Sequence, residues 1–311
     1  MPLSSCAKAG LVLSSIGIGT YLGNPDEATD RSYADAVVRA VQLGVNVIDS
    51  AANYRFQRSE RSIGAALKTL TREHGIAREE LVICTKGGYL PFDGAPPRNV
   101  REYVNETFVK PGIASFADFV GGSHCMTPAY LQSQLDQSLR NMDLECVDVY
   151  YVHNPESQLG YVDEQEFYAR LRLAFGRLEQ NRTQGKLAHY GVATWNGFRV
   201  PAESEHHHSL VRMVEIAREV GGDDHGFRFI QLPFNLAMSE AATVANETLA
   251  GEWMTVLEAA TRLGVRVVAS ASMLQGRIEP RAAIQFVNSV PGITTALIGM
   301  SRVEHVEENL R

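Results

Sequence analysis

Short apolar runs alternate along the chain with stretches in which apolar residues recur every three or four positions. The runs have strand length and end at polar residues: Val45–Ile48 stops at Asp49, Leu81–Thr85 at Lys86, and Val147–Val152 at His153. Between them the period changes. Tyr33, Val37, Ala40 and Val41 share one helical face, with Thr29-Asp30 as the expected N-cap and Gly44 as the stop. A second helix is predicted over about 59–70. A third is opened by Thr127-Pro128, with proline at its tolerated first position, and carries Leu131, Leu135 and Leu139. A long helix covers roughly 164–184. The second half repeats the alternation, with strands near 187–192, 229–232, 265–269 and 295–298 and helices near 210–220, 252–263, 281–288 and from 303 onward. With a glycine-rich first strand around Gly17-Ile18-Gly19, eight strands each followed by a helix predict a (β/α)8 TIM barrel, one domain over 1–311.

Parallel barrel strands deliver their last residues to one rim, where barrel active sites lie. Asp49, Lys86 and His153 end three consecutive strands, and Tyr54 follows Asp49 by five residues. Four proton-active side chains at one rim outline a proton-transfer site. Taken singly, Asp49 could cap a turn, Tyr54 could be half-buried packing, Lys86 could be solvated, and His153 ahead of Asn154-Pro155 could be a turn residue. One stretch breaks the alternation. Residues 87–126 show no periodicity and far exceed an ordinary strand-to-helix loop. Tyr89, Phe92, Tyr103, Phe108, Phe116 and Phe119 make it too aromatic for a disordered linker. It is expected to be an insertion after the third strand that forms a lid on the substrate side. The alternative is a satellite cluster against the outer helices.

Composition narrows the setting. Of 311 residues, 45% are apolar and 21% charged, ample for a core. A net charge of −7 without a basic stripe argues against a nucleic-acid partner. No apolar run approaches the ~20 residues of a membrane helix. Met1-Pro2-Leu3-Ser4-Ser5-Cys6 offers no charged segment ahead of a long apolar stretch, so secretion is not expected. Cys6, Cys84, Cys125 and Cys146 lack CxxC or zinc spacing, and reduced thiols in the cytoplasm are the expectation. His206-His207-His208 has no metal-site spacing either. It reads as a solvated loop, and no metal is expected.

The spacing of Asp49, Tyr54, Lys86 and His153 resembles the catalytic tetrad of the aldo-keto reductase superfamily. Gly17-Ile18-Gly19-Thr20-Tyr21, Ser59-Glu60 with Ile63-Gly64 and Leu67, Ile230-Gln231, and Gly299-Met300-Ser301 through Glu307-Glu308-Asn309-Leu310 resemble that family's pattern in the same order, from about Leu11 to Leu310. The resemblance implies reduction of a small carbonyl compound, or oxidation of an alcohol in reverse, with NADP(H) and with NAD(H) as the alternative coenzyme. It implies cofactor contacts at Thr20, Tyr21, Thr194, Gln231, Ser270, Leu274, Gly276, Arg277, Gly299, Ser301, Arg302, His305, Glu308 and Asn309. Gln231 matches the residue that holds the carboxamide. Arg302 and Arg277 would meet a 2′-phosphate, the helix start at Val303 would seat phosphate, and Glu308 and Asn309 would contact adenine. Two positions depart from the pattern: Ala193-Thr194 replaces a common Ser-Asn, and Ser270 stands where an aromatic often stacks on the nicotinamide. Many relatives continue past the last helix into a loop capping the substrate pocket, whereas this chain stops at Arg311. Either the insertion takes over that duty or the loop lies beyond this chain.

Within this reading Tyr54 is the general acid and Lys86 its tuner. A tyrosine has a free pKa of ~10, and an adjacent ammonium is expected to lower it, with Asp49 holding the lysine. A neutral His153 would donate to the carbonyl oxygen. A cofactor-binding regulatory subunit on the same fold, like the potassium-channel β subunits, is the rival. An unrelated barrel such as a phosphosugar isomerase would require the ordered motifs to be accidental. A monomer or small homo-oligomer is expected.

Overall fold

The computed structural model describes Cys6 and residues 11–310. Residues 1–5, on which the secretion reading mostly rests, and Arg311 lie outside the described residues. The elements in chain order are β1 (Ile16–Gly19), α1 (Glu27–Gln42), β2 (Val47–Asp49), α2 (Arg58–Glu73), β3 (Val82–Gly87), α3 (Val100–Val104), α4 (Pro128–Met142), β4 (Val147–His153), α5 (Glu164–Thr183), β5 (Leu187–Ala193), α6 (Leu210–Gly221), β6 (Phe227–Pro233), α7 (Glu240–Thr243), β7 (Ala245–Leu249), β8 (Glu252–Thr255), α8 (Val256–Leu263), β9 (Arg266–Ser270), α9 (Pro280–Ser289), β10 (Ile293–Gly299) and α10 (Val303–Asn309). Eight strands close in the order β1-β10-β9-β6-β5-β4-β3-β2, every pairing parallel, while β7 and β8 form a separate antiparallel hairpin. The (β/α)8 expectation holds.

Strand side chains alternate between the barrel interior and the helical layer. Val47, Val82, Cys84, Val149, Tyr151, Phe229, Val268 and Leu297 fill the interior, with Leu11 among them. Ile48, Ile83, Tyr150, Val152, Ile230 and Val267 face the helices, where Ile63, Leu67, Leu131, Leu135, Phe167 and Leu171 meet them. Counting by twos along the inward positions gives Val47 then Asp49, Cys84 then Lys86, Tyr151 then His153, and Phe229 then Gln231. These four polar residues are therefore the top layer of the interior stack.

Below that layer, at the start of β4, Arg78 and Asp148 form a buried ion pair with N···O 2.7 Å. Arg78 also donates to the carbonyls of Leu81 and Cys146, and Asp148 accepts from the Ile83 amide.

Local departures from the sequence reading have identifiable causes. Helix α1 is capped by Asp26, whose carboxylate accepts from the Thr29 amide, so it starts earlier than Thr29-Asp30 suggests. The helix expected from 252 begins at Val256, where Thr255 and Glu258 form a reciprocal capping box; the residues before it pair as the hairpin. His208 is fully buried, stacked on Phe167 and edge-on to Phe198, while His206 stays exposed, so only part of that loop is solvated. Cys6 and Cys146 are joined in a disulfide across 140 residues, with Cα atoms 5.5 Å apart. This corrects the reduced-thiol expectation for that pair, because a tie so distant in sequence leaves no spacing signature. Cys84 and Cys125 are free and buried. Among the described residues no helix is long and apolar enough to cross a membrane.

Candidate active site

The four residues predicted from strand ends converge. Lys86 Nζ donates to Asp49 Oδ1 at 2.5 Å, to the Ser50 carbonyl at 2.7 Å and to the Tyr54 hydroxyl at 3.3 Å, so its three protons have three acceptors. The same ammonium lies 4.8 Å from the centre of the Tyr54 ring. Asp49 uses its other oxygen for Gln231, whose Nε2 donates at 2.8 Å. The Tyr54 ring is edge-on to His153, with centroids 5.8 Å apart, and to Tyr21 at 5.0 Å. His153 is buried, and its Nδ1 has no hydrogen-bond partner among the described residues.

Burial pushes the Tyr54 phenol above its usual pKa; Lys86 pulls it down without overcoming that rise, and Asp49 adds to it. The expectation of a lowered value is corrected, since loss of water outweighs one nearby ammonium in the chain by itself. Tyr54 therefore holds its proton firmly. Burial also opposes the charge on Lys86, but Asp49 and Tyr54 more than offset it, and its pKa is raised. For His153, burial, Lys86 and His124 act together and hold the imidazole well below its usual range, hence neutral.

The turn carrying Tyr54 is unusual. Arg55, Phe56 and Gln57 all have left-handed backbone, with φ of 47°, 57° and 69°. Such conformations are unfavourable for residues with a Cβ, and external partners hold them here. Arg55 donates to the Asn24 carbonyl at 3.0 Å and pairs with Asp30. Gln57 donates to the Phe92 carbonyl at 3.1 Å, and the Gly94 amide donates to the Phe56 carbonyl at 2.9 Å.

The long connection between β3 and α4 divides its aromatics. Phe108 and Phe119 join Tyr130 of α4 in a separate cluster with Leu90, Val104 and Cys125, and Phe92 packs at its edge against Tyr103 and Phe56. Phe116 sits at the surface beneath Arg101. Tyr89 alone of the aromatics expected in a lid stands beside the tetrad, edge-on to His153 at 5.1 Å. Its hydroxyl meets Ser157 at 2.8 Å and Asn154 at 3.3 Å. Sequence reasoning missed these last two, and also Glu156, whose carboxylate accepts from the amides of Trp195 and Asn196 beyond β5. No periodic signal marks them.

The residues expected around a cofactor follow the rim. Thr20 is buried, its hydroxyl bonded to the Asp49 carbonyl and Ser50. Tyr21 is 58% exposed. Thr194 is buried just beyond β5, with a hydroxyl that has no partner among the described residues. Gln231 has its nitrogen committed to Asp49, which leaves its oxygen as the acceptor. Ser270 ends β9, and Leu274 and Gly276 lie in the left-handed loop beyond it, followed by exposed Arg277. Gly299 ends β10, and the Ser301 carbonyl accepts from Ser32. Arg302 is exposed and hydrogen-bonded to His305 at 2.7 Å. Glu308 borders an open cleft of about 480 Å³ with Arg281, Glu304 and Glu307, and Asn309 closes α10. Helix α10 is fixed to α1 by Arg39 and Glu307 at 2.8 Å.

Comparison with known proteins agrees with this arrangement. The model of the aldo/keto reductase family matches residues 15–215. A Schizosaccharomyces pombe protein named for a voltage-gated potassium channel subunit beta is 23% identical, over 100% of this chain and 88% of that one. The D-threo-aldose 1-dehydrogenase of a Pseudomonas species is 27% identical over 61% of this chain, and the matched part spans about half of it, 53%. The solved structure of a Klebsiella pneumoniae aldo/keto reductase in complex with NADP and acetate superposes with a TM-score of 0.61 at 17% identity, covering 96% of this chain and 85% of that one, a likeness of fold. The family match takes in Asp49, Tyr54, Lys86 and His153, and the chain belongs to the aldo/keto reductase family, a family of NAD(P)H-dependent oxidoreductases.

Proposed function

We propose that the chain reduces a small aldehyde, ketone or sugar-like carbonyl with NADPH, and oxidises the alcohol in reverse, using Tyr54 as general acid and base. One observation carries the reading: the Tyr54 hydroxyl lies 3.3 Å from a buried Lys86 amine that Asp49 holds at 2.5 Å, with the His153 ring edge-on beside it. Bound NADPH supplies the hydride. The chain supplies the rest. Tyr54 gives its proton to the oxygen as negative charge develops there, and Lys86 stabilises the phenolate left behind. Asp49 and the Ser50 carbonyl fix Lys86 so that no reorganisation is needed at that moment. His153 donates an N–H to the same oxygen and orients it.

Two observations suit the carboxamide end of a nicotinamide. The Thr194 hydroxyl is buried without a partner, and Gln231 offers an oxygen while its nitrogen is held. At the other end Arg302, with Arg277 in the preceding loop, favours a 2′-phosphate and hence NADP(H) over NAD(H). Tyr89 would line the substrate side, as the lid's contribution. The deciding experiment is NADPH oxidation across aldehydes, ketones and aldoses, with NADH in parallel. Turnover with none of them would remove the catalytic reading.

The full-length match to a protein named for a channel β subunit favours a second reading, a cofactor-binding regulatory subunit. Tight NADPH binding with negligible turnover on every carbonyl tested would select it.

A further inference from the structure

The connection between β3 and α4 returns to the barrel at His124, which is buried with Nε2 2.7 Å from the carbonyl oxygen of His153. A carbonyl oxygen only accepts, so Nε2 carries the ring proton and Nδ1 is the acceptor. Gln158 supplies the matching donor, its Nε2 lying 2.9 Å from His124 Nδ1 and 3.2 Å from the His124 carbonyl. The Gln158 amide is itself oriented, because its oxygen accepts from Arg170 Nη1 at 2.6 Å. Arginine is always a donor. The chain from Arg170 through Gln158 and His124 to the His153 carbonyl therefore has one polarity, running from α5 to the site.

The surrounding backbone is shaped to this contact. Gly88 has φ 145°, and a Cβ there would stand 2.9 Å from His124 Nε2 and 3.0 Å from the His153 carbonyl oxygen. Any side chain would wedge into the hydrogen bond. Tyr89 then lies edge-on to both imidazoles, 5.1 Å from each.

We propose that His124 is a positioning residue for His153, and that Gln158 sets the tautomer in which it acts. The inference rests on the catalytic reading of His153 above. His124 holds the carbonyl of the residue whose side chain orients the substrate, so it controls where that imidazole stands without touching substrate itself.

Three measurements test it. Proton–nitrogen NMR of the apoprotein imidazoles should find His124 with its proton on Nε2, and His124→Leu should shift the His153 ring resonances. A proton on Nδ1, or unmoved His153 resonances, overturns the proposal without reference to turnover. In kinetics, His124→Leu should lower kcat for carbonyl reduction roughly ten- to a hundred-fold, as a small misplacement does, with KM and NADPH affinity little changed. His124→Gln can donate at the same place and accept from Gln158, so it should restore most of the loss. Unchanged kcat in His124→Leu while His153→Gln abolishes turnover overturns the inference alone. Unchanged kcat in both overturns the catalytic reading of His153 as well.

If His124→Leu does not fold, Gln158→Glu decides. A carboxylate beside Nδ1 favours a doubly protonated His124, which still donates to His153. As pH rises that ring loses one proton, and the carboxylate claims the other on Nδ1. The groups facing His124 are His153 from β4, Tyr89 from the connection, and Arg170 from α5 beyond Gln158. In this variant kcat should fall with rising pH through neutrality, where the parent stays level. A profile parallel to the parent's overturns the proposal.

Discussion

Among the described residues two ion pairs have both side chains buried, one toward each end of the barrel. Arg78 and Asp148 are 2% and 0% exposed, Lys86 and Asp49 1% and 5%. Burial does not tell them apart. Their bonds do. Arg78 and Asp148 bind backbone groups of Leu81, Cys146 and Ile83, and each other, so the pair closes on the scaffold. Lys86 closes on Asp49 and Ser50 but sends its third proton to Tyr54, a side chain that can itself give a proton away. A buried charge becomes chemistry when one of its bonds ends on a group that can exchange protons with a ligand.

The sharpest test of that difference is Tyr54→Phe. It keeps the ring and removes the hydroxyl to which Lys86 donates, so kcat should fall by about 10²- to 10⁴-fold. NADPH affinity and the melting temperature should hardly move. Carbonyl reduction within a few-fold of the parent would assign the acid elsewhere.

Arg78→Met should behave in the opposite sense. Removing one partner of a buried pair costs about 3–5 kcal/mol, so urea unfolding should shift strongly while kcat per folded molecule stays at the parent value. A large kcat loss in well-folded Arg78→Met protein would dissolve the distinction between the two ends.

Arg302 extends the comparison to a cation that is exposed and, among the described residues, hydrogen-bonded to His305, with an anion expected from the ligand. Arg302→Ala should weaken NADPH by ~1.5–3 kcal/mol, roughly ten- to a hundred-fold, and NADH far less. Equal losses in titrations with both coenzymes would place its role at the shared diphosphate.

The smallest expected effect is a flat line. The proposed mechanism requires Tyr54 protonated, Lys86 charged and His153 neutral for reduction. The first two pKa values are raised and the third is well below its usual range, so all three forms persist from roughly pH 7 to 9, and kcat for reduction should be level there. Oxidation needs ionised Tyr54 and should rise with pH over the same interval. A reduction rate that climbs toward alkaline pH would contradict this proton assignment.

How much of this could be read beforehand follows from periodicity. Asp49, Lys86 and His153 were legible because a buried strand carries its pattern to the rim, and local sequence encodes it. Gln231 was legible only through resemblance. Tyr54 was legible as a loop residue five positions beyond Asp49, but its exact placement was not, since that depends on a turn whose three left-handed residues obey no propensity. His124, Ser157, Asn154 and Glu156 were not legible, because each reaches the site through contacts between loops. The β7–β8 hairpin was lost to a helix pattern that Thr255 and Glu258 begin four residues later than expected.

The same turn has a consequence for transplanting this chemistry. Arg55, Phe56 and Gln57 are held in their backbone by Asn24, Asp26 and Asp30 on one side and by Phe92, Gly94 and Asn141 on the other. Grafting Asp49, Tyr54, Lys86 and His153 onto a foreign barrel would therefore carry over three strand ends intact and set the tyrosine adrift. A portable unit would have to include the strand ends, the β1–α1 loop and first turn of α1 that receive Arg55, and the first limb of the long connection and the end of α4 that hold Gln57. A designer who copied four residues would copy a lysine and an aspartate with no phenol to serve.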